Sequence, residues 1–593
     1  MIKRVINTRF GIQLTVVFLL LFQVVSAQHF EFSWAEKIRY SNRKNGFFSE
    51  FIETNSSYMY VLNSNYALTS INQYNKVKLV AYSKTTMTEE AAIPLKGFSQ
   101  NKGTRKQYES LRYFKTVVLE DKVIVFWTKL INADSVKTEE LYAETFKSDL
   151  ERESTLKKVW TITQHFDVQQ SEFALPSFVI CSNRETDQLL IGAELYRAGG
   201  NVTFRYGQVS DRLEVSGEQS LELPVKCGEV QNGVLADYAL ERDGNLYIRS
   251  TIVLSRDEIR ALNPGEAKAY PVLTIVNPGS GKKAFIEMRG AQKTITDFSV
   301  LVTDSTARIL GFFGDLSKDP SGIDKQGIFY ADLISDSLHN ASLNYAYFEK
   351  TSLNKLFPKS RGGRRKTDIP SLEEQLQTRF DIESIFSMED GSAVLFFTRK
   401  YNYAEITSRS GMDGKNIYKT DYYCEKNNVS AIRFTADGKI TWTGNIERSK
   451  TYSGTDIPDV RVIYKFNKFY VFYGTDPKKK GKKRKESADL RDVLEYVTFD
   501  PVSGRPKKFD LEVNPEKTPK NERKYVDPNS LFLSDGRLYH YQLAVKLKPE
   551  WYALNILCFP SIYYSVLSGN TRYAKGKLGV ISLLEGKADK KKR

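Results

Sequence analysis

Histidine and cysteine are scarce, because the 593-residue chain has only four of each. A Ser-His-Asp hydrolase needs a histidine within hydrogen-bond reach of its nucleophile. The sequence has no Gly-x-Ser-x-Gly elbow, no His-Glu-x-x-His pair and no Cys/His spacing that suits zinc. His540 lies between Tyr539 and Tyr541, so we interpret it as a packing or surface residue. We therefore expect no metal, no cofactor and no catalytic residue.

Paired cysteines are also lacking, since no CxxC motif occurs. Cys181, Cys227, Cys424 and Cys558 allow three disulfide connectivities, and the sequence leaves their pairing open. Cys181 and Cys558 lie in apolar runs, where cysteine commonly acts as a small buried hydrophobe. A chain this long with 12% aromatic residues can form a large core without disulfides.

Only one stretch of the chain is apolar over a long run, and it lies at the N-terminus. Lys3, Arg4 and Arg9 precede the mostly apolar residues 12–25, and the small residue Ala27 follows. This pattern predicts a secretory signal peptide over residues 1–27, with cleavage after Ala27. No later run approaches membrane-spanning length, so we expect a soluble or peripheral mature chain with no transmembrane span.

Strand-turn-strand units recur along the chain. In each, an apolar strand-like segment, a short polar turn and a second, more apolar segment follow one another, which is the pattern of a β-hairpin. The clearest copies span 117–127, 238–248, 300–313, 385–397, 462–473 and 531–541, with weaker copies at 178–195 and near Tyr58 to Ala67. The acidic residues Asp304, Asp390 and Asp535 lie in these turns, a position that aspartate favours for conformational reasons.

The repeats predict an all-β fold, a single β-propeller of seven or eight blades with inserted loops and a few short helices. We expect the propeller to span residues 28–586, with 587–593 as a basic tail. The apolar stretch Leu578 to Leu584 is expected to supply the outer strand of the first or last blade. The alternative is a tandem of β-sandwich domains, which would need linkers rich in Gly, Pro or Ser.

Helix-forming segments are few and short. Capping boxes begin at Ser255 and Ser371, and Ser487 to Tyr496 has amphipathic spacing. Asn277 to Lys282 resembles a phosphate loop, but the motif's first glycine and its Ser or Thr are missing. We interpret this segment as a turn between strands.

The net charge of +16 is concentrated in runs. Such runs favour attraction to an acidic surface, so we predict that two basic loops, around 359–370 and 476–490, bind an acidic protein or envelope surface. An exported protein rarely meets nucleic acid, so we expect no nucleic-acid partner. The predicted partner-binding residues are Arg361, Arg364, Arg365, Lys366, Lys478, Lys479, Lys480, Lys482, Lys483, Arg484 and Lys485.

The segment Phe434 to Thr443 carries an Asp-Gly-Lys turn followed by Trp442. It resembles the recurring blade segment of exported bacterial β-propeller proteins, and the whole chain resembles envelope proteins of gliding Gram-negative bacteria. This resemblance implies a periplasmic location, peripheral to the outer membrane. The alternative is an extracellular location, which is less favoured because no C-terminal sorting domain of the type nine system is evident.

We therefore expect a non-enzymatic periplasmic binding or scaffold protein, an accessory component of an outer-membrane secretion or motility assembly. Two alternatives stay open. The first is a hydrolase or lyase acting on polysaccharide, in which two or three carboxylates would converge at one end of the central channel. The second is a glycan-binding module, which would present an aromatic platform without paired acids.

Overall fold

Thirty-four strands and one helix account for the regular structure of the described part of this computed structural model. The structure describes residues 30–34, 38–40, 47–64, 77–95, 111–133, 136–165, 177–196, 200–226, 236–262, 269–290, 292–303, 307–316, 325–333, 343–349, 356, 379–410, 416–435, 437–453, 460–475, 493–509, 522–526, 532–534, 537–546 and 574–583.

The strands form eight antiparallel sheets within these residues, and we number the sheets as blades in chain order. Blade 1 comprises β3 (Phe47–Thr54), β4 (Tyr58–Ser64), β5 (Val77–Ser83) and β6 (Glu89–Leu95). Blade 2 comprises β7 (Arg112–Val118), β8 (Lys122–Ala133), β9 (Val136–Lys147) and β10 (Lys157–His165). Blade 3 comprises β11 (Ser177–Asn183), β12 (Gln188–Leu195), β13 (Asn201–Val209) and β14 (Val215–Lys226). Blade 4 comprises β15 (Asp237–Leu240), β16 (Leu246–Val253), β17 (Ala269–Val276) and β18 (Lys283–Glu287).

The second half of the chain repeats this arrangement. Blade 5 comprises β19 (Lys293–Val302), β20 (Ala307–Asp315), β21 (Lys325–Leu333) and β22 (Asn344–Tyr347). Blade 6 comprises β23 (Arg379–Ser387), β24 (Ala393–Ser410), β25 (Asn416–Phe434) and β26 (Ile440–Ser453). Blade 7 comprises β27 (Val460–Lys465), β28 (Lys468–Thr475), β29 (Val493–Phe499) and β30 (Pro506–Phe509). Blade 8 comprises β31 (Glu522–Val526), β32 (Phe532–Ser534), β33 (Arg537–Lys546) and β34 (Ala574–Leu583), together with β1 (Phe30–Trp34) and β2 (Ile38–Tyr40).

Apolar layers between consecutive blades hold the sheets in a ring. One layer combines Phe126 of blade 2 with Ile191 of blade 3, and the next combines Phe204 of blade 3 with Ile248 of blade 4. Equivalent layers join blades 4 and 5, 5 and 6, 6 and 7, 1 and 2, and 8 and 1. Blades 7 and 8 meet through β29 and β31. Because each blade packs on both neighbours, the fold is an all-β propeller of eight blades and not a tandem of sandwiches.

The N-terminal strand closes the ring. β34 pairs with β33 on one side and with β1 on the other, in the register Phe30↔Leu583. The prediction that residues 578–584 form an outer strand is therefore wrong, because this stretch is the third strand of blade 8 and β1 lies outside it. Pairing of the first and last strands covers the outer edge of β34 and makes β1 the outer edge strand of the closing blade.

Most of the expected hairpins are confirmed. The pairs Val118↔Val123, Leu240↔Leu246 and Ser387↔Ala393 close three of them, and the copies at 178–195, 300–313, 462–473 and 531–541 also pair as expected. The first hairpin is displaced from the expected position, because Asn55 turns the chain before β4. Its Oδ1 accepts hydrogen bonds from the Ser57 and Tyr58 backbone N–H groups, at 3.0 and 2.7 Å.

Two other local expectations have opposite outcomes. The capping box at Ser255 is confirmed, and it starts the short helix α1 (Arg256–Arg260). The amphipathic helix expected over 487–496 is wrong for its last four residues, which belong to β29 and pair with β28. The capping box at Ser371 lies outside the described residues. The segment Asn277 to Lys282 is a turn between β17 and β18, as predicted.

A residue with the left-handed backbone conformation (positive φ) recurs in the turn between the third and fourth strands of a blade. In blades 1 to 3 this residue is a buried hydrophobe, and in blades 4, 6 and 7 it is a glycine. The residues are Met87, Leu150, Leu213, Gly281, Gly438 and Gly504. Since side chains with a Cβ rarely adopt positive φ, the three hydrophobes depend on burial to offset the strain.

Gly438 needs both its conformation and its lack of a side chain. Its φ is +80°, and a Cβ would lie 1.9 Å from the Tyr330 ring of blade 5. We expect Gly438→Ala to lower the free energy of unfolding by about 3 kcal/mol. Gly217→Ala is the matched control, because φ is +62° there and nothing lies within 4 Å of the added Cβ. It should cost about 1 kcal/mol. Equal losses in denaturant titrations would show that the Tyr330 contact is unimportant.

Candidate functional face

The two ends of the propeller differ in how the strands are connected. At one end, the first strand of each blade turns into the second and the third into the fourth, and we call this end the turn face. At the other end, the second strand leads to the third and each blade leads to the next, and we call it the connection face. The two faces carry different kinds of side-chain interaction.

At the turn face, hydrogen bonds connect neighbouring blades. Pro501 O of blade 7 accepts from Trp442 Nε1 and Arg433 Nη1 of blade 6, at 3.0 and 2.6 Å. Tyr330 OH of blade 5 donates to Asp437 O of blade 6 at 2.6 Å. Further bonds to backbone oxygens run from Asn55 to Glu120, Lys157 to Arg212, Asn183 to Leu240, Gln219 to Pro278 and Arg308 to Gly391. Short turns held in this way form a rigid surface.

One group of buried polar side chains lies toward the connection face. Its members are in the second strand of five consecutive blades, in the half of the blade nearest this face. The residues are Thr128, Glu194, Ser250, Asp315 and Thr398. A buried polar group costs free energy unless it is hydrogen-bonded. Glu194, Asp315 and Thr398 have such partners, whereas the buried Oγ of Ser250 has none.

Glu194 joins blades 3 and 4. It is fully buried, and its Oε1 accepts from Ala236 N at 3.1 Å and from Tyr238 OH at 2.6 Å. Tyr196 OH donates to Oε2. Burial, together with the charge of Glu194, raises the pKa of Tyr238, so the phenol keeps the proton that it donates. Glu194 therefore has a structural role, since its hydrogen bonds connect blades 3 and 4.

Asp315 has a similar role within blade 5. Its Oδ2 accepts from Lys293 Nζ at 2.8 Å and from Tyr347 OH at 2.7 Å. Burial opposes the charge of Lys293, but the hydrogen bonds to Asp315 and Tyr347 outweigh it and raise the pKa of Lys293. The lysine ammonium also lies 4.9 Å from the Tyr347 ring centroid. The three side chains thus satisfy one another.

Blade 6 buries a small ion-pair network at this face. Lys426 Nζ lies 3.4 Å from Asp381 Oδ2 and 3.6 Å from Glu383 Oε1. Thr398 Oγ1 donates to Glu383 Oε1 at 2.7 Å, and Lys400 Nζ lies 3.6 Å from Asp381 Oδ2. Glycoside hydrolysis needs one carboxylic acid to be protonated. The ammonium group of Lys426 instead compensates both carboxylates, which is the arrangement of a structural network.

Glu139 in β9 is the exception to this pattern of satisfied charges. Its Oε2 is buried without a hydrogen-bond partner, as is Oε1 of Gln164 in β10. The register places Glu139 opposite Ile162, two residues from Gln164 on the same strand. Burial raises the pKa of Glu139 to about 8, so the neutral carboxylic acid is the stable form at neutral pH.

The strands of blade 6 project beyond the connection face. Pairing of β23 with β24 ends at Arg379↔Lys400, whereas β24 and β25 continue to pair as far as Ser410↔Asn416. The projecting ten residues of β24 extend roughly 30 Å at 3.3 Å per residue. β26 follows β25 only to Ser453↔Tyr423. We call the described residues 401–410, 416–425 and 449–453 the blade 6 ribbon.

Both predicted basic loops lie outside the described residues. The first run, Arg361 to Lys366, lies between the end of β22 and the start of β23, and the second, Lys478 to Lys485, lies between β28 and β29. The flanking strand ends are all on the connection face. The assignment of these runs as binding residues stays a prediction, as does cleavage after Ala27, which is also outside the described part.

Two of the four cysteines and one cleft lie within the described residues. Cys181 and Cys424 are both buried, which confirms Cys181 as a small hydrophobe, and burial raises the pKa of Cys181 to about 11. Cys227 and Cys558 lie outside the described residues. A cleft of about 280 Å³ on the turn face, lined by Thr145, residues 154–157 and residues 211–213, contains no histidine or cysteine. In the described ranges, no three His, Cys, Asp or Glu residues group as metal ligands.

Sequence reasoning missed the buried ionisable residues and the blade 6 ribbon. A charged residue inside an apolar run would have indicated the former, because Glu194 follows Leu189 to Ala193 directly. In the part of the chain that the structure describes, no helix has the length and apolarity to cross a membrane.

Comparisons with known proteins find solved structures that are only distantly similar to this chain. No family model and no curated protein matches the chain. The β-propeller domain of the Trilobed protease from Pyrococcus furiosus is 10% identical, with 79% of this chain and 96% of that one covered and a TM-score of 0.32. The WD40 domain of SCAP from fission yeast is 6% identical, with 94% and 98% covered and a TM-score of 0.32. Phage phi92 endosialidase is 9% identical, with 95% and 71% covered and a TM-score of 0.27. The assignment as a propeller rests on the sheets themselves.

Glu139 makes the stability of the protein depend on pH. Its carboxyl pKa is raised in the folded state above the ordinary value of 4.5, so folded protein holds a proton that unfolded protein releases. Stability from this group is complete below about pH 4.5 and falls as pH rises toward 8. We expect Glu139→Gln to raise the melting temperature at pH 8 by several degrees and to have little effect at pH 4.5. A difference that is the same at both pH values would contradict this explanation.

Proposed function

We propose that this chain is a non-enzymatic scaffold of a bacterial envelope that binds its partner through the connection face. Export by residues 1–27 would deliver it to the periplasm, peripheral to the outer membrane. There it would act as an accessory component of a secretion or motility assembly. The observation that carries this proposal is the blade 6 ribbon, which projects from the face where the strands flanking both basic runs begin and end.

The different construction of the two ends supports a binding role for the connection face. Short turns and hydrogen bonds between blades hold the turn face, so the blades form a rigid base. Binding residues are commonly carried by long connections on such a base. A projecting ribbon also has strand edges, which can pair with an extended segment of another protein. The basic runs would add attraction to an acidic partner and speed its association.

The decisive experiment is a crosslinked pull-down of the tagged full-length protein from its own envelope, with three variants. The first replaces the seven cations of Lys478 to Lys485 by glutamine. The second replaces residues 404–422 by Asn-Gly, which closes a short hairpin on the pair Tyr403↔Tyr423. The third, the control, is Lys282→Gln with Lys283→Gln in a turn-face hairpin of blade 4.

We expect the wild type and the control to recover one envelope complex reproducibly. The ribbon variant should lose it, and the charge variant should recover at least about tenfold less, since seven surface cations are removed. Unchanged recovery with both connection-face variants would refute the proposal. If the protein is recovered alone and binds or cleaves envelope polysaccharide, one of the two glycan-directed alternatives is correct.

A further inference from the structure

The turn face of blade 7 presents apolar side chains in an unusual way. The two-residue turn between β27 and β28 places Phe466 and Asn467 at φ of +51° and +54°. Asparagine and glycine tolerate this conformation, whereas a bulky aromatic residue rarely adopts it. The register Lys465↔Lys468 leaves Phe466 no alternative position within the turn. A strained bulky residue therefore occupies the tip of this hairpin.

Burial does not offset the strain at Phe466 as it does elsewhere. Met87, Leu150 and Leu213 also have positive φ, but they are only 3 to 5% exposed and belong to the core. Phe466 is 36% exposed, and the neighbouring Tyr464 is 37% exposed. Strain that the core does not offset is concentrated at functional sites in proteins, where it preorganises a contact.

A second turn at the same end of blade 7 carries another apolar side chain. Val502 is 74% exposed between β29 and β30. Its turn is fixed by Asp500 Oδ1, which accepts from Val502 N at 3.0 Å and Ser503 N at 2.7 Å. The Trp442 and Arg433 bonds to Pro501 O tie the same turn to blade 6. Val502 is thus displayed by a rigid turn.

Cations surround these apolar side chains. Lys465, Lys468 and Arg505 are exposed on the two turns, and the Lys465 ammonium lies 5.1 Å from the Phe466 ring centroid. Asp500 is the acid of these turns, and its backbone hydrogen bonds, with a smaller contribution from the charge of Lys468, lower its pKa. The patch consequently combines an apolar tip with an excess of positive charge.

We propose that this patch, Tyr464 to Lys468 with Asp500 to Arg505, docks the propeller on a bilayer surface that carries anionic headgroups. An exposed aromatic ring and an aliphatic side chain can enter the boundary between headgroups and acyl chains. Lysine and arginine can remain at the headgroup level and attract lipid phosphates. An acidic protein would form ion pairs with the cations, but its charged groups would gain little from contact with two exposed apolar side chains.

This docking site is independent of the connection face and lies on the opposite end of the propeller. The blade would rest on a membrane through the turn face and leave the connection face, with the blade 6 ribbon, directed away from it. Failure of either proposal leaves the other intact, because vesicles contain no protein partner. The seven cations of Lys478 to Lys485 also attract anionic lipid, so the test uses the protein in which these cations are replaced by glutamine as well as the wild type.

The experiment is flotation of the full mature protein with vesicles of phosphatidylcholine, with and without phosphatidylglycerol. The key variant is Phe466→Gly, since glycine relieves the positive-φ strain and should maintain or raise the melting temperature. In both backgrounds it should reduce partitioning into phosphatidylglycerol vesicles about tenfold, and Val502→Ser severalfold. Phe285→Ser, which removes an aromatic residue 43% exposed on β18, is the matched control and should bind as its parent does.

Three results would overturn the proposal. The first is equal binding by Phe466→Gly and its parent, and the second is equal binding to vesicles with and without phosphatidylglycerol. The third is binding to poly-glutamate that depends on Phe466, together with no binding to vesicles. This result would assign the patch to an acidic protein. Lys465→Gln with Lys468→Gln should selectively weaken binding to the anionic vesicles, and this loss should shrink as salt rises.

Discussion

Burial of apolar strand faces between consecutive sheets is the constraint on which the rest of the structure depends. A four-stranded blade has two apolar faces, and in blade 5 Phe313 packs against blade 4 while Phe312 packs against blade 6. One partner sheet can cover only one face, so each blade needs two neighbours. Eight blades satisfy this requirement in a ring, and the ring is complete only when β1 pairs with β34.

The two ends of the ring are built differently. At the turn face, short connections and bonds such as that from Trp442 Nε1 to Pro501 O fix neighbouring blades against each other. At the connection face, the long segments between strands and the blade 6 ribbon are free to differ from blade to blade without disturbing the apolar layers. This separation explains how one repeated hairpin supports local features as different as the ribbon and the strained turn at Phe466.

Ionisable groups at the strand ends show how the protein tolerates charge near its core. Glu194 is acceptable because three donors from two blades point at it, and Asp315 because Lys293 and Tyr347 do. Glu139 lacks such donors and keeps its proton instead. The cost of burying a charge is therefore offset by hydrogen-bond donors at Glu194 and Asp315, and it is avoided at Glu139 because that carboxyl keeps its proton.

The sequence by itself determined the all-β class, most hairpins and the helix at Ser255, because alternation, Asp-Gly turns and a capping box are local patterns. The tertiary structure decided which strand closes the ring, since no local sequence pattern predicts the pairing of Phe30 with Leu583. The tertiary structure also decided that Val493 to Tyr496 form a strand, because pairing with the edge of β28 outweighs the helical spacing of this segment. Burial of Glu139 and exposure of Phe466 likewise depend on neighbouring blades, because burial is a property of packing between distant segments and not of any one stretch of chain.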